Sequence, residues 1–471
     1  NCTIFESSTK PASMKQSKKF ILLLPIFLFL FFNSGKAQKI WSLEDCINYA
    51  YENNISIQQQ TLNTQYNENL LKQSKLNQLP NLNADLNQTL SYGRALDYTT
   101  YRFTESRRTF QSNVNVASAV TVFQGLQQRN TIRQNEFNLL ASLQDLEKLK
   151  NDISMLLASG YLQILFNREL LEVSRIQYET TLQQVERTAK LVEAGSLARG
   201  SLFEIQAQAA SEELNVIEAQ NALDISYLNL TQMLDLDSVG KFEIEIPEFG
   251  DVARDPIQLT VEEVYREGLG ILPRIRSAEL QVKSAEKGLN IAEGGRSPSL
   301  ILSGAYGTGY SDFNQLLIGY EPDLTPIWED YPFWDQMKDN RNLYFRFGLN
   351  IPIFNRTMIS TNISNAKLNV LNYQLALETS KMDLYKSIQQ AYADAKAARR
   401  AYMATETALV AMEESFKYTE EKYEVGLVNA VDYNIEKTRL TNTQSDLLQA
   451  KYDYIFKVKV LDFYRGVPIS L

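Results

Sequence analysis

Stretches of this chain recur at a fixed distance. Ser42-Leu43-Glu44-Asp45 matches Thr260-Val261-Glu262-Glu263, and Pro80-Asn81-Leu82 matches Pro298-Ser299-Leu300, both 218 positions apart. Further along, Phe123 and Phe354, Asp152 and Asp383, Tyr161 and Tyr392, and Gly195 and Gly426 each stand 231 apart. A constant offset on either side of one insertion, here 13 residues between Pro298 and Phe354, means that one unit is written twice. The chain therefore divides into an upstream segment (1–37), a first structural repeat (38–258) and a second (259–471).

Proline and glycine mark the elements within each copy. No proline occurs between Pro80 and Pro247 or between Pro352 and Pro468. Gly160 is the only glycine between Gly125 and Gly195, and none lies between Gly348 and Gly426. Apolar residues recur at helical spacing, as in Leu139, Leu143, Leu146, Leu149, Ile153, Leu156 and Leu157. The pattern predicts two unbroken helices over about 126–193 and 356–425, each roughly 100 Å long at 1.5 Å per residue. A globular domain has little use for such rods, since ordinary helices stop near 20 residues. Shorter helices are expected over 43–76, 201–236, 261–294 and 429–464, so that two of them, end to end, match one rod. Segment 237–260, with Pro247, Gly250 and Pro256, reads as a lateral elaboration linking the copies.

Between the first helix and the long helix of each copy, the period changes from 3.6 to 2. In 81–92, Leu82, Ala84, Leu86, Gln88, Leu90 and Tyr92 alternate with Asn81, Asn83, Asp85, Asn87, Thr89 and Ser91. In 112–123, Val114, Val116, Val120 and Val122 share one face. The second copy repeats this with Leu300, Leu302, Tyr306 and Tyr310 in 299–310, and with Leu343, Phe345, Phe347, Leu349, Ile351 and Ile353 in 343–353. These are two β-hairpins, 81–123 and 299–353. Segments of about ten residues, apolar on one side only, fit a membrane β-barrel facing outer-membrane lipid. They also fit an antiparallel sheet on its own core, but no further strands are evident to build that core. Four strands cannot close a barrel, for which about eight is the practical minimum, so an oligomer is required; two copies or three would suffice. Gly304, Gly307 and Gly309 alternate along a strand and read as relief of crowding rather than as a phosphate loop. Segment 311–342, which holds the extra residues with Trp328, Trp334, Pro322, Pro326 and Pro332, suits neither strand nor helix. It is expected outside the cell, covering the pore mouth.

Composition narrows the chemistry. There is no histidine, the two cysteines are Cys2 and Cys46, and the formal net charge is −9. Histidine acid–base catalysis and Cys/His zinc sites are thereby ruled out, and an acidic chain is a poor fit to nucleic acid. No P-loop or other nucleotide motif occurs. The reading is of a chain that is not an enzyme and carries no cofactor or metal. Met14 opens a segment with Lys15, Lys18 and Lys19, an apolar run from Phe20 to Phe32, and small residues at Gly35-Lys36-Ala37. That is the layout of a secretory signal, placing a mature N-terminus at Gln38. Cys46 follows two acids well past the apolar run and reads as a small apolar residue on a helix face.

The doubled helix–hairpin–long helix plan resembles the TolC-like outer membrane efflux protein family over nearly all of residues 40–465. The phrases SLEDCINYAYENN near the start and KYEVGLVNAVDYN at 422–434 carry the likeness. The resemblance implies a mainly α chain with a membrane β-barrel: a homotrimer with a twelve-stranded barrel in the bacterial outer membrane and a long α-helical barrel across the periplasm. It implies a passive exit duct in a tripartite efflux or type I secretion system, partnered by a periplasmic adaptor and an inner-membrane transporter. It also places Tyr423 and Asp432 at a periplasmic aperture. In the family's closure pattern Val428 stands where an arginine is usual, Ser201 where an aspartate is usual, and Ile435 at a second aspartate position. Adaptor docking is assigned to the tips, Gly195-Ser196-Leu197 and Val425-Gly426-Leu427, where an exposed apolar residue beside a helix-ending glycine has no core to fill. The alternative, a secreted coiled-coil fibre or surface adhesin, explains the long helices but not the amphipathic hairpins.

Overall fold

The computed structural model describes residues 40–94, 96–97, 102–103, 105–236, 242–247 and 259–470. The secretory signal expected within 1–37 and most of segment 237–260 lie outside the described residues.

The first helical stretch opens with β1 (Ile40–Trp41) and a reciprocal cap on α1 (Leu43–Asn53). The Asp45 N–H donates to Ser42 Oγ at 3.0 Å, while the Ser42 N–H donates back to Asp45 Oδ2 at 3.2 Å. The helix expected over 43–76 is broken at Asn54, whose backbone is extended and whose Oδ1 accepts from the Ser56 and Ile57 N–H groups to start α2 (Ile55–Leu76). Asparagine competes with the helix by bonding the backbone ahead of it. After the hairpin of β2 (Asn83–Gly93) and β5 (Arg107–Gln124), bridged by the short β3 (Leu96–Asp97) and β4 (Arg102–Phe103), come α3 (Gln127–Glu193) and α4 (Arg199–Met233). β6 (Glu243–Ile244) pairs in parallel with β1.

The second half holds α5 (Val261–Ile271), capped by Thr260 and Glu263 as α1 is by Ser42 and Asp45, and α6 (Pro273–Gly294). The helix expected over 261–294 breaks at Leu272 because Pro273 cannot continue the ladder and drives the residue before it into extended backbone. Then follow β7 (Ser299–Ser311), β8 (Gln315–Tyr320), β9 (Pro326–Asp330), α7 (Phe333–Asp339), β10 (Asn342–Asn350), α8 (Met358–Glu424) and α9 (Ala430–Tyr464). The two long helices are 67 residues each, and α4 and α9 are 35 each. Bounds of α3, α4, α8 and α9 keep the 231-residue offset, and so do the left-handed residues Leu126 and Thr357 that turn strand into helix.

The four main strands form one antiparallel sheet in the order β10-β7-β5-β2. Its register aligns apolar residues in rows across the strands, such as Ala84–Val116–Tyr306–Leu343 and Val120–Leu302–Phe347. The opposite face carries rows such as Asp85–Asn115–Gly307–Asn342 and Asn87–Asn113–Gly309. A bulge between Thr121 and Phe123 puts Phe123 rather than Val122 opposite Leu300, keeping a large side chain on the apolar face. Gly309 and Gly307 make room for the Asn113 and Asn115 amides, which a Cβ would meet at 2.4 and 3.2 Å. The apolar face is bare: Leu82, Phe345 and Phe347 are 75%, 72% and 75% exposed. Among the described residues, the outer edges of β2 and β10 have no strand beside them.

Segment 311–342 corrects the expectation of an irregular loop. It forms the β8–β9 hairpin and α7, because its prolines fall at element ends: Pro326 begins β9 and Pro332 precedes α7. Above Asn342, where β10 begins, the edge of β7 is covered by side-chain amides of α7. Buried Gln336 accepts from the Ser311 N–H at 3.1 Å and donates to the Ser311 carbonyl at 3.0 Å, and Asn340 donates to the Gly309 carbonyl at 2.7 Å. Gln336→Leu is expected to cost about 1–3 kcal/mol through the Ser311 groups left without partners. The effect should appear as faster proteolysis of 311–341 with an unchanged melting profile for the long helices.

Packing concentrates midway along the rods. One core joins Cys46, Leu157, Tyr161, Leu165, Leu230 and Ile455 from α1, α3, α4 and α9. The Tyr161 hydroxyl donates to the Glu245 carbonyl at 2.6 Å and the Trp41 carbonyl at 3.1 Å, fastening the β1–β6 pair onto α3. Burial pushes that hydroxyl's pKa well up. A second core joins Val264, Ile275, Leu384 and Ile388 from α5, α6 and α8. Toward the sheet the helices lie in the order α2, α3, α6, α8; toward the tips α3 packs on α4 and α9, and α9 on α8. The outermost helices carry bare apolar stripes, Leu62, Tyr66 and Leu70 on α2 and Leu368, Leu371 and Leu375 on α8.

Candidate functional site

The ends of α3 and α8 are built alike. Gly195 and Gly426 adopt φ of 75° and 76°, the left-handed region. The Ser196 N–H bonds back to the Leu191 carbonyl and the Gly195 N–H to Val192; Leu427 and Gly426 bond likewise to Lys422 and Tyr423. This is the glycine helix stop in both tips. Nothing lies within 4 Å of where a Cβ would sit at either glycine, so backbone conformation alone demands glycine there. Val425 and Leu427 are 70% and 76% exposed, Leu197 is 37% exposed, and Ser196 is exposed beside it. Arg187 and Glu424 bridge the two hairpins at 2.9 Å, an exposed pair contributing under about 1 kcal/mol.

Asp432 lies in the first turn of α9 and is exposed. The cap itself is Asn429, whose Oδ1 accepts from the Asp432 N–H at 2.9 Å. Tyr423 is half-buried and stacks on Tyr433, ring centroids 4.6 Å apart and planes at 25°. It packs back on α9 through a fully buried ring, which Phe416 approaches from α8 at 5.4 Å. Burial raises the Tyr433 hydroxyl pKa, and Glu420 and Tyr423 add to the rise. Between α4 and α9 runs an open groove of about 590 Å³ walled by Glu204, Gln208, Val431, Asn434, Ile435 and Arg439. Ile435 on α9 lines this groove and Ser201 stands in the first turn of α4, the two positions where the resemblance would have put aspartates.

Two residues that the sequence did not single out lie just above. Lys437 on α9 is 2% exposed, and Glu212 on α4 is 7% exposed at 3.5 Å from it. Thr181 on α3 stands between them: the Lys437 ammonium donates to its hydroxyl, which donates to the Glu212 carboxylate. Lys437 also donates to the Gln177 carbonyl at 3.2 Å, and Gln208 donates to Glu212 at 2.9 Å. Burial lowers the Lys437 pKa, and Glu212 opposes the shift. A lysine and a glutamate 225 positions apart give no signal of the pair in the sequence.

Among the described residues no group of acidic or sulfur side chains is arranged to hold a metal ion, and no helix is long and apolar enough to cross a membrane.

Comparisons with known proteins agree with this architecture. The model of the family described as outer membrane efflux protein matches residues 265–466. The outer membrane protein TolC of Escherichia coli is 22% identical over 317 residues, 67% of this chain and 62% of that protein. TolC of Salmonella enteritidis is 21% identical over 392 residues, 82% of this chain and 74% of that protein. The crystal structure of the outer membrane protein VceC from Vibrio cholerae superposes with a TM-score of 0.73 at 16% identity, covering 90% of this chain and 96% of that one. The aligned region thus spans less than two thirds of the E. coli relative, while the fold is shared over almost the whole of a solved outer membrane protein. With paired hairpins, paired 67-residue helices and a match of its second half to the family model, the chain is similar to the outer membrane efflux proteins and shares the fold of VceC over most of its length.

Proposed function

We propose that this chain is the outer-membrane exit duct of a tripartite efflux or type I secretion system, with its sheet in the outer membrane and its helices in the periplasm. The observation that carries the reading is the four-stranded sheet: bare and apolar on one face, amide-lined on the other, open at both edges, and standing on rods roughly 100 Å long. Unpaired backbone groups in hydrocarbon cost several kcal/mol each, so the edges must be closed. Three copies, each setting β2 against β10 of the next, give twelve strands. The same arrangement sets the bare stripe of α2 against that of α8. The two structural repeats, 38–258 and 259–471, then act as equivalent staves of one tube. The mass of the detergent-extracted protein tests this: three chains per particle is the expected result, and a water-soluble monomer overturns it.

The tips are the docking points for a periplasmic adaptor, which links the duct to an inner-membrane transporter that supplies the energy. Gly195, Ser196 and Leu197 with Val425, Gly426 and Leu427 form the contact, and Tyr423 and Asp432 belong to the aperture. In a threefold assembly an inward Asp432 becomes a ring of three carboxylates, which attracts cations at a constriction. Asp432→Asn is expected to lower cation preference in planar-bilayer recordings with little change in thermal stability. Unchanged selectivity with a lower melting temperature would mean that the residue serves only its own helix dipole, an effect of about 0.3–1 kcal/mol.

A further inference from the structure

We propose that α7 is a lipid anchor, seating Phe333 and Trp334 in the headgroup boundary of the outer leaflet on the outside of the barrel wall. The inference rests on the lipid-facing sheet proposed above and adds a binding surface to it. The apolar face does not end with the strands. Ser112 pairs with Tyr310 and Leu90 with Phe110, so Tyr310 and Phe110 share the face of Val114, Tyr306, Leu343 and Phe347. The Phe110 and Tyr310 rings are 6.3 Å apart, Phe333 sits 4.9 Å from Tyr310, and Trp334 lies edge-on to Phe333 at 5.1 Å. The four rings run in an unbroken chain from the sheet onto α7, and Trp334, the last, is 78% exposed.

Height and chemistry agree on the level. From Phe123, at the lower end of the apolar face, β5 climbs roughly 43 Å to Phe110, or about 30 Å of barrel height at a tilt near 45°. That is the separation of the two membrane–water boundaries, where tryptophan and tyrosine concentrate because their rings are apolar with one polar edge. Tyr92 stands opposite Arg108 on the same face at this level, a ring and a cation that suit lipid headgroups. The other side of α7 is committed to the protein, since Gln336 and Asn340 are bonded to the β7 edge. The helix is thereby held with its aromatic side outward, away from the pore mouth that segment 311–342 was expected to cover.

The test is tryptophan quenching in phosphatidylcholine vesicles containing phosphatidylcholine brominated at shallow or deep acyl positions. A Trp328→Phe variant leaves Trp334 and the half-buried Trp41, which lies among the helices. A second variant, Trp328→Phe with Trp334→Phe and Phe347→Trp, places the probe on the sheet. The expected result is loss of most Trp334 emission, greater with shallow than with deep bromine, and strong quenching of the Phe347→Trp probe by deep bromine. An unquenched Trp334 beside a quenched Phe347→Trp probe overturns the anchor and leaves the barrel standing. If neither is quenched, the barrel reading fails and the anchor with it.

Discussion

Lys437→Met is expected to destabilise the tip region by about 3–5 kcal/mol, the usual cost of removing one partner from a buried ion pair. Lys437 and Glu212 are 2% and 7% exposed, so solvent does little to screen the charge left behind. Methionine keeps the length of the side chain, which limits the loss of packing. What remains is Glu212 held against Thr181 and Gln208 without its cation. The double variant Lys437→Met/Glu212→Leu should recover most of the loss, because apolar residues of similar volume often replace a buried pair at no net cost. Thermal melting followed by helical circular dichroism gives the total, and hydrogen exchange over 177–212 and 430–440 locates it. A single variant as stable as the parent would show that water reaches the pair.

Phe347→Arg should cost about 2–4 kcal/mol per chain if the residue lies near mid-membrane, and less toward either boundary. Phe347 is 75% exposed, so little protein contact is lost, and the penalty is mainly that of a cation facing hydrocarbon. The neighbouring position supplies the control. Arg346 pairs with Ser303 on the opposite face, the one that lines the proposed duct. Arg346→Ser is accordingly expected to leave folding and membrane insertion unchanged. Urea titration of the protein refolded into phosphatidylcholine vesicles measures both. Equal effects at 346 and 347 would mean that neither face meets lipid.

The long helices were legible because nothing interrupts them. Gly160 alone stands inside the first, and the expected bounds of 126–193 and 356–425 differ from the observed ones by a residue or two. The strands were legible because period-2 alternation survives even with both faces exposed. Four features were not. The breaks at Asn54 and Leu272 cost the helical pattern only one residue each, and the apolar spacing resumes at once. Segment 311–342 was read as irregular from its prolines, but a proline is allowed at the first residue of an edge strand or just before a helix, where these stand. Lys437 resembles any lysine on a solvated helix face until α3 and α4 close over it. Tyr423 stacks its ring on Tyr433, a contact that residue spacing within one helix does not express.

The distribution of packing along α3 has a mechanical consequence. Its apolar core residues crowd between Ala141 and Leu171, and below Leu171 only Thr181 and Thr188 are buried. The rod is clamped at mid-height and held near its end by hydroxyls, the buried Lys437–Glu212 pair and the exposed Arg187–Glu424 pair. At 1.5 Å per residue Leu165 lies about 45 Å above Gly195, so a swing of about 5° at the clamp carries the tip about 4 Å. Each hairpin is a lever with a stiff fulcrum and a latch near its far end. Motion at the tips can then be wide while the membrane end stays still, and the force needed is set by the latch rather than by the fulcrum.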